Sequence, residues 1–149
     1  MERVQALYKQ AVLQHNRNPI GYEKAVQATH SASEINPLCG DVIHIHLQLD
    51  GEYIRDIGFS GQSCAICTAS ASMLCKILPG CQRVEFDLQR QDFNAAMHGN
   101  ATAAADLNEA LRALLGVRRF PSRISCAQLP WKATQKALSA PDEAAQETA

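Results

Sequence analysis

The chain has 149 residues, of which 46% are hydrophobic and 19% are charged, and its net charge is −1. This size fits a single domain, and the balanced charge argues against a nucleic-acid partner. No segment has the roughly 18 consecutive apolar residues that a membrane span needs. The first ten residues, MERVQALYKQ, are charged from the second position and lack the apolar stretch of a secretory signal. We therefore predict a cytoplasmic protein with neither a membrane nor a nucleic-acid partner.

The six cysteines narrow the chemistry further. Because the cytoplasm keeps thiols reduced, an even number of cysteines is weak support for disulfides there. Metal binding or thiol chemistry is the better interpretation.

The first half of the chain combines one helix with a predicted hairpin. Residues 3–15 have apolar side chains at helical spacing, and Asn18-Pro19 ends the helix. Residues 18–38 have no clear periodicity and are interpreted as a long ordered loop. Alternating apolar residues then predict a strand over 42–49, and Asp50-Gly51 predicts a tight turn into a return strand.

The second half is predicted to be mostly helical. Residues 65–78 are small, apolar and compatible with a helix, and further helices are expected over 91–98 and 105–115. Residues 117–129 are interpreted as irregular, with Pro130 opening a final helix that ends near Leu138. The pattern is α+β, a small antiparallel sheet packed by segregated helices, with one domain over 1–138 and a flexible tail over 139–149.

The sharpest local feature is Cys39-Gly40-Asp41, directly before the first predicted strand. Glycine permits an unusual backbone turn, so a thiolate and a carboxylate two residues apart can converge on one cation. Cys64 lies at the start of a predicted helix, where backbone amides favour the thiolate. Cys126 follows Arg123 by three residues, and a guanidinium nearby favours the thiolate as well. Together the residues make a Cys₃Asp set suited to four-coordinate zinc or to iron–sulfur binding.

Other residues have simpler explanations. Cys64 and Cys67 form a C-x-x-C, which is typical of a dithiol redox pair, but Cys67 also fits a buried packing position. Packing is the favoured interpretation for Cys75 and Cys81. His44 and His46 share one side of their strand and are interpreted as its solvated face.

Several motifs resemble the U-type assembly proteins, the family of IscU, SufU and the NifU N-terminal domain. They are Asn36-Pro37-Leu38-Cys39-Gly40-Asp41, Gly58-Phe59-Ser60-Gly61-Gln62-Ser63-Cys64-Ala65-Ile66 and the small-residue helix from Thr68 to Met73. Gly116-Val117, the segment from Phe120 to Ala127 and Leu129-Pro130-Trp131-Lys132 are similar to the SufU branch. The resemblance runs from about residue 3 to residue 138.

This resemblance implies a three-stranded antiparallel sheet with flanking helices. It also implies a zinc ion held by Cys39, Asp41, Cys64 and Cys126, and a role for Cys39 as acceptor of sulfur from a SufS-type, pyridoxal-phosphate cysteine desulfurase. Four negative ligands around Zn²⁺ leave a net charge of about −2, which Arg123 is expected to neutralise. Such a chain is a sulfurtransferase-like partner of the desulfurase, not a stand-alone enzyme, and passes sulfur to a downstream SUF scaffold or to apo-proteins.

Two departures from the family pattern matter. Ser125 stands where IscU-like chains carry a histidine, and Cys67 stands where serine is expected in SufU-like chains. The main alternative is a scaffold that assembles a transient [2Fe–2S] cluster on the same ligands. A dithiol oxidoreductase using Cys64 and Cys67 and a purely structural zinc module also remain open.

Overall fold

The computed structural model describes residues 2–143. Its helices are α1 Glu2–Arg17, α2 Ala65–Ile77, α3 Arg83–Met97, α4 Ala101–Asp106, α5 Glu109–Arg112 and α6 Ile124–Ser139. Its strands are β1 His30–Asn36, β2 Asp41–Asp50 and β3 Tyr53–Gln62, and two 3₁₀ segments cover Ala113–Arg119 and Pro121–Arg123. None of the helices in this described range is both long and apolar enough to cross a bilayer.

The three strands form one antiparallel sheet in the order β1-β2-β3. The predicted hairpin is present: Asp50 pairs with Tyr53, and Gly51 takes a positive φ of 59° in the turn. Along β2 the apolar side chains at positions 43, 45 and 47 are fully buried, while the side chains between them are half-buried on the other face. The predicted fold class, a three-stranded antiparallel sheet with flanking helices, is confirmed.

The interpretation of residues 18–38 as one long loop was wrong in part, because β1 lies within it. The strand sequence HSASEIN is mostly polar and lacks the alternation that marks β2, so only its pairing with β2 defines it. The preceding segment covers the free edge of β3. The amide of Phe59 donates to the Gly21 carbonyl at 2.9 Å, and the amide of Glu23 donates to the Phe59 carbonyl at 2.7 Å. This pairing satisfies backbone groups that an open edge would expose.

The core lies between the sheet and the helices. Helix α6 packs on β1 and β2, α2 packs on α6, and α1 packs on α2 and on the longer 3₁₀ segment. Trp131 of α6 stacks on Phe93 at a centroid distance of 4.5 Å and on Phe86 at 5.8 Å. All three rings are almost fully buried, so this aromatic cluster joins α3 to α6 and fixes the position of α6 on the sheet.

Three helix predictions in the second half need correction. The helix predicted over 91–98 begins earlier, at Arg83, where Gln82 and Glu85 form a capping box. The helix predicted over 105–115 is broken into α4, α5 and a 3₁₀ segment, since Asn100 and Asn108 each cap a new helix start.

The third correction concerns Pro130, which lies inside α6 and does not open it. Helix α6 begins at Ile124, so residues 117–129 are also less irregular than predicted. Pro130 has no N–H to donate to the carbonyl four residues earlier, but burial against the sheet and α2 outweighs the lost bond.

The division into a domain over 1–138 and a flexible tail over 139–149 stays a prediction. Residues 144–149 lie outside the described residues. At the start of the tail, the amide of Glu143 donates to the carbonyl of Thr29 at 2.8 Å, next to the first residue of β1.

Candidate metal centre

The predicted site residues lie at one end of the sheet. Cys39 lies in the β1–β2 turn, and Asp41 is the first residue of β2. Cys64 follows the end of β3, which is adjacent because Val42 pairs with Gln62. Cys126 lies in the first turn of α6, which packs across β1 and β2. The antiparallel register thus brings together residues that are up to 87 positions apart.

The β1–β2 turn is held by Asn36, a buried residue that the sequence analysis noted only as part of a motif. Its carbonyl accepts from the amides of Cys39 at 3.3 Å and Gly40 at 2.8 Å, and its side-chain oxygen accepts from the amide of Leu38 at 3.1 Å. Its Nδ2 donates to Ser125 Oγ at 3.0 Å, which ties the turn to α6. Gly40 has a φ of +75°, a conformation that strains other residues.

Three ligand atoms form a compact cluster. The sulfurs of Cys39 and Cys126 are 3.5 Å apart, and these sulfurs and a carboxylate oxygen of Asp41 all lie within 4.8 Å of one another. Thiolates at the usual zinc–sulfur distance in a tetrahedral site are about 3.8 Å apart. The spacing of the two sulfurs therefore fits a shared small cation.

The carboxylate of Asp41 supports the same conclusion. Its Oδ1 accepts from the amide of Cys64 at 2.9 Å, but its Oδ2 is buried and has no hydrogen-bond partner among the described residues. Burying an unpartnered carboxylate oxygen is costly. A cation between Asp41 and the two sulfurs would remove that cost, so the donor set fits a metal.

Cys64, the fourth predicted ligand, lies beside this cluster but not within it. It is the N-cap of α2, and its sulfur accepts from the amide of Cys67 at 3.5 Å. It is also close enough to Cys126 to interact with it. Burial, the hydrogen bond with Cys39 and the charge of Cys64 raise the pKa of Cys126 to about 12. Cys126 therefore resists ionising when no cation is present.

Arg123 supplies positive charge at the mouth of the site. A hydrogen bond with Cys126 raises its pKa above its usual value, and the charges of Cys64 and Cys126 add to the effect. Arg123 also lines a cleft of about 370 Å³, together with Tyr8, Cys64, Ala65, Ile66 and Phe120. Tyr8 lies within the helix predicted over 3–15, and Phe120 begins the motif segment from Phe120 to Ala127, but neither was predicted as a site residue. No local signal indicated that they border the site.

The remaining cysteines differ in their surroundings. Cys67 is fully buried, and its pKa is raised strongly by burial and by the charge of Asp41. Burial raises the pKa of Cys75 to about 12, while half-buried Cys81 donates from its sulfur to the Ile77 carbonyl at 3.1 Å. His44 and His46 lie on the outer face of the sheet and contact Ser33 and Ser31 at 2.5 and 3.0 Å.

Fold and site together define a small α+β domain with a cysteine-rich candidate metal centre at one end of its sheet. The profile of the NifU-like N terminal domain matches residues 7–142, and the chain belongs to that family. The family resemblance predicted from the motifs is thereby confirmed.

Individual relatives agree with this assignment. The zinc-dependent sulfurtransferase SufU of Bacillus subtilis (strain 168) is 37% identical over 136 residues, covering 89% of this chain and 90% of that protein. The iron–sulfur cluster assembly scaffold protein IscU of Streptococcus pyogenes serotype M1 is 32% identical over 139 residues, covering 93% and 86%. The solved structure of FiSufU from Fervidobacterium islandicum AW-1 has a TM-score of 0.79 at 24% identity, covers 90% of this chain and 98% of its own, and supports the fold.

Proposed function

We propose that this chain is an iron–sulfur cluster assembly protein that accepts sulfur on Cys39, at a zinc site, from a SufS-type pyridoxal-phosphate cysteine desulfurase. The observation that carries the proposal is an exposed cysteine whose sulfur lies 3.5 Å from that of buried Cys126 and beside the Asp41 carboxylate. The Bacillus subtilis relative that is 37% identical to this chain is named a zinc-dependent sulfurtransferase, which supports the same chemistry.

Cys39 is the acceptor because the other thiols of the site are less accessible. Cys126 is 1% exposed, and Cys64 is half-buried at the N-terminus of α2, whereas Cys39 is exposed on the β1–β2 turn. The neighbouring Leu38 is 86% exposed and gives the turn an apolar tip. A protein-bound persulfide needs unobstructed access to the accepting sulfur, and the exposed position of Cys39 on the turn provides that access.

The transfer is a thiol–persulfide exchange. The Cys39 thiolate attacks the terminal sulfur of the donor persulfide and forms a new S–S bond, while the S–S bond of the donor breaks. The electron pair of the broken bond leaves with the donor cysteine as its thiolate, so no external oxidant or reductant is needed. Arg123, whose charge interacts with Cys126 and Cys64, offsets the negative charge that gathers at the site.

The residues that would hold zinc are Cys39, Asp41 and Cys126, with Cys64 adjacent as the fourth ligand. Bound zinc keeps thiol ligands deprotonated at neutral pH. We place this activity in the cytoplasm, where thiols stay reduced. There the chain acts as a partner of the desulfurase and passes sulfur to a downstream SUF scaffold or to apo-proteins.

A scaffold function is the second candidate, and one observation favours it. A relative 32% identical to this chain is named an iron–sulfur cluster assembly scaffold, and the same sulfur ligands suit a [2Fe–2S] cluster as cargo. The two functions differ in what the chain carries when it is purified without air and without added metal. About one zinc per chain and no acid-labile sulfide supports the acceptor, whereas matched iron and sulfide supports the scaffold.

The direct test replaces Cys39 with alanine and measures alanine release by the desulfurase and sulfur bound to this chain. We expect Cys39→Ala to abolish both the stimulation and the added sulfur, because no other thiol of the site is as exposed. Cys81→Ala is the matched control, since Cys81 is half-buried and bonded to the α2 C-terminus. If Cys39→Ala still stimulates alanine release by the desulfurase fully, Cys39 is not the sulfur acceptor, whatever metal the chain contains.

A further inference from the structure

A hydrogen bond between Asn36 and Ser125 ties the β1–β2 turn to α6 beside the candidate metal centre. Asn36 ends β1, and its Nδ2 donates at 3.0 Å to the Oγ of Ser125, which lies 89 positions away in the first turn of α6. Each residue is close in the chain to a candidate ligand, because Cys39 follows Asn36 by three positions and Cys126 directly follows Ser125. Among the hydrogen bonds of the described residues, only this one and the contact between the two sulfurs join residues 36–41 to the first turn of α6.

The side-chain amide of Asn36 is a rigid connector between the turn and the helix. Its Oδ1 accepts from the Leu38 amide at 3.1 Å, while its Nδ2 donates to Ser125. The main-chain carbonyl of Asn36 accepts from the amides of Cys39 and Gly40. Asn36 is 5% exposed, so a partner that is lost is not simply replaced by solvent. The turn therefore cannot move away from α6 without breaking a buried hydrogen bond.

We propose that Asn36 and Ser125 are positioning residues that hold the sulfurs of Cys39 and Cys126 at the spacing of a small cation. The two sulfurs are 3.5 Å apart, close to the separation of about 3.8 Å that zinc requires. A pair held this close penalises a larger thiolate-binding cation such as Cd²⁺, whose longer metal–sulfur bonds need the sulfurs farther apart. The inference rests on the metal site of the proposed function, with Cys64 as its fourth ligand, but not on the transfer of sulfur to Cys39.

Replacing Ser125 isolates the connecting bond. Ser125→Ala removes the bond to α6 and keeps every hydrogen bond within the turn, whereas Asn36→Ala would also remove the bond to the Leu38 amide. Ser125→Thr keeps a hydroxyl at the same position and is the conservative variant. Ser122→Ala is the matched control, since Ser122 is an exposed serine three positions earlier, in the 3₁₀ segment Pro121–Arg123.

The test titrates a chelator against the full-length chain loaded with Zn²⁺ or with Cd²⁺, without air, and gives the affinity for each cation. Ser125→Ala should lower the affinity for Zn²⁺ about tenfold and that for Cd²⁺ by less, so that the ratio of the two shifts towards Cd²⁺ by at least about threefold. Ser125→Thr should restore the ratio, and Ser122→Ala should leave both affinities unchanged. A loss of stability alone lowers the folded fraction equally in both measurements, so it cancels from the ratio.

Three results would overturn the proposal. One is an unchanged affinity for Zn²⁺ in Ser125→Ala, another is a fall by the same factor for both cations, and the third is a ratio in Ser125→Thr equal to that in Ser125→Ala. An unsubstituted chain that binds neither cation refutes the metal site and this inference with it. Full stimulation of the desulfurase by Cys39→Ala refutes only the acceptor role, so the two failures are distinguishable.

Discussion

Ser70 links α2 to α6 directly behind the candidate metal centre, and its replacement by alanine gives a measurable prediction. Its hydroxyl is fully buried, donates to the Ala127 carbonyl at 2.6 Å and accepts from Trp131 Nε1 at 3.1 Å. Ala127 directly follows the ligand candidate Cys126, so these bonds fix the position of α6 relative to α2, the helix that Cys64 caps. We expect Ser70→Ala to destabilise the fold and loosen the site together.

The magnitude follows from the two bonds. Leaving the buried indole N–H without a partner costs about 1–3 kcal/mol, and the lost bond to the carbonyl costs about 0.5–1.5 kcal/mol. The better helix propensity of alanine returns about 0.5 kcal/mol. The net loss in the free energy of unfolding should be about 1–4 kcal/mol.

Urea unfolding measures this loss, with metal content matched between proteins. Trp131 is the single tryptophan of the chain, so its fluorescence reports the environment of the broken bond directly, and far-UV circular dichroism provides a second signal. Ser139→Ala is the matched control, because Ser139 is exposed at the end of α6 and should change stability by less than about 0.5 kcal/mol. A loss for Ser70→Ala as small as that of the control would refute the reasoning.

Two further predictions concern the metal site and the pH dependence of stability. Asp41→Asn keeps an oxygen that can accept from the Cys64 amide but removes the charge, so zinc affinity in a chelator competition should fall at least about tenfold. Asp56→Asn removes the charge that pairs with Lys24 but keeps an oxygen that can accept from the Ile57 amide, so it should leave that affinity unchanged, and equal affinity in both variants would contradict a ligand role for Asp41. The pKa of His15 is lowered by burial and by Lys76, and its Nδ1 contacts the Ser72 hydroxyl at 2.6 Å. Because the unfolded chain then binds the proton more readily, the contribution of His15 to stability is present above about pH 6.5 and is lost as the pH falls towards the lowered folded value. Urea unfolding at pH 5.5 and pH 7.5 should show a smaller pH effect in His15→Gln, and identical pH effects in both proteins would show that His15 does not carry it.

The strong local patterns in the sequence predicted their elements well. The alternation over 42–49, the Asp50-Gly51 turn and the small-residue segment after Cys64 each gave the correct strand, hairpin or helix. The errors fell where the local pattern was weak or misleading. Strand β1 has a polar sequence that only pairing with β2 holds extended. Pro130 is tolerated within α6 because it is buried where that helix packs on the sheet and on α2.

The residue types in the sequence were enough to indicate the chemistry of the site. Six cysteines, a glycine that permits a sharp turn beside Asp41 and the family motifs all indicated a metal and sulfur function. These are local properties, since they depend on the identity and near neighbours of each residue. No contact across the fold is needed to recognise them.

Only the tertiary structure decided which of these residues meet. The antiparallel register and the packing of α6 place ligand atoms of Cys39, Asp41 and Cys126 within 4.8 Å of one another, although Cys126 lies 87 positions from Cys39 in the chain. The same packing brings Tyr8 of α1 and Phe120 to the cleft that Cys64 and Arg123 line. Such distances depend on long-range pairing and on burial of apolar side chains, which no local pattern specifies.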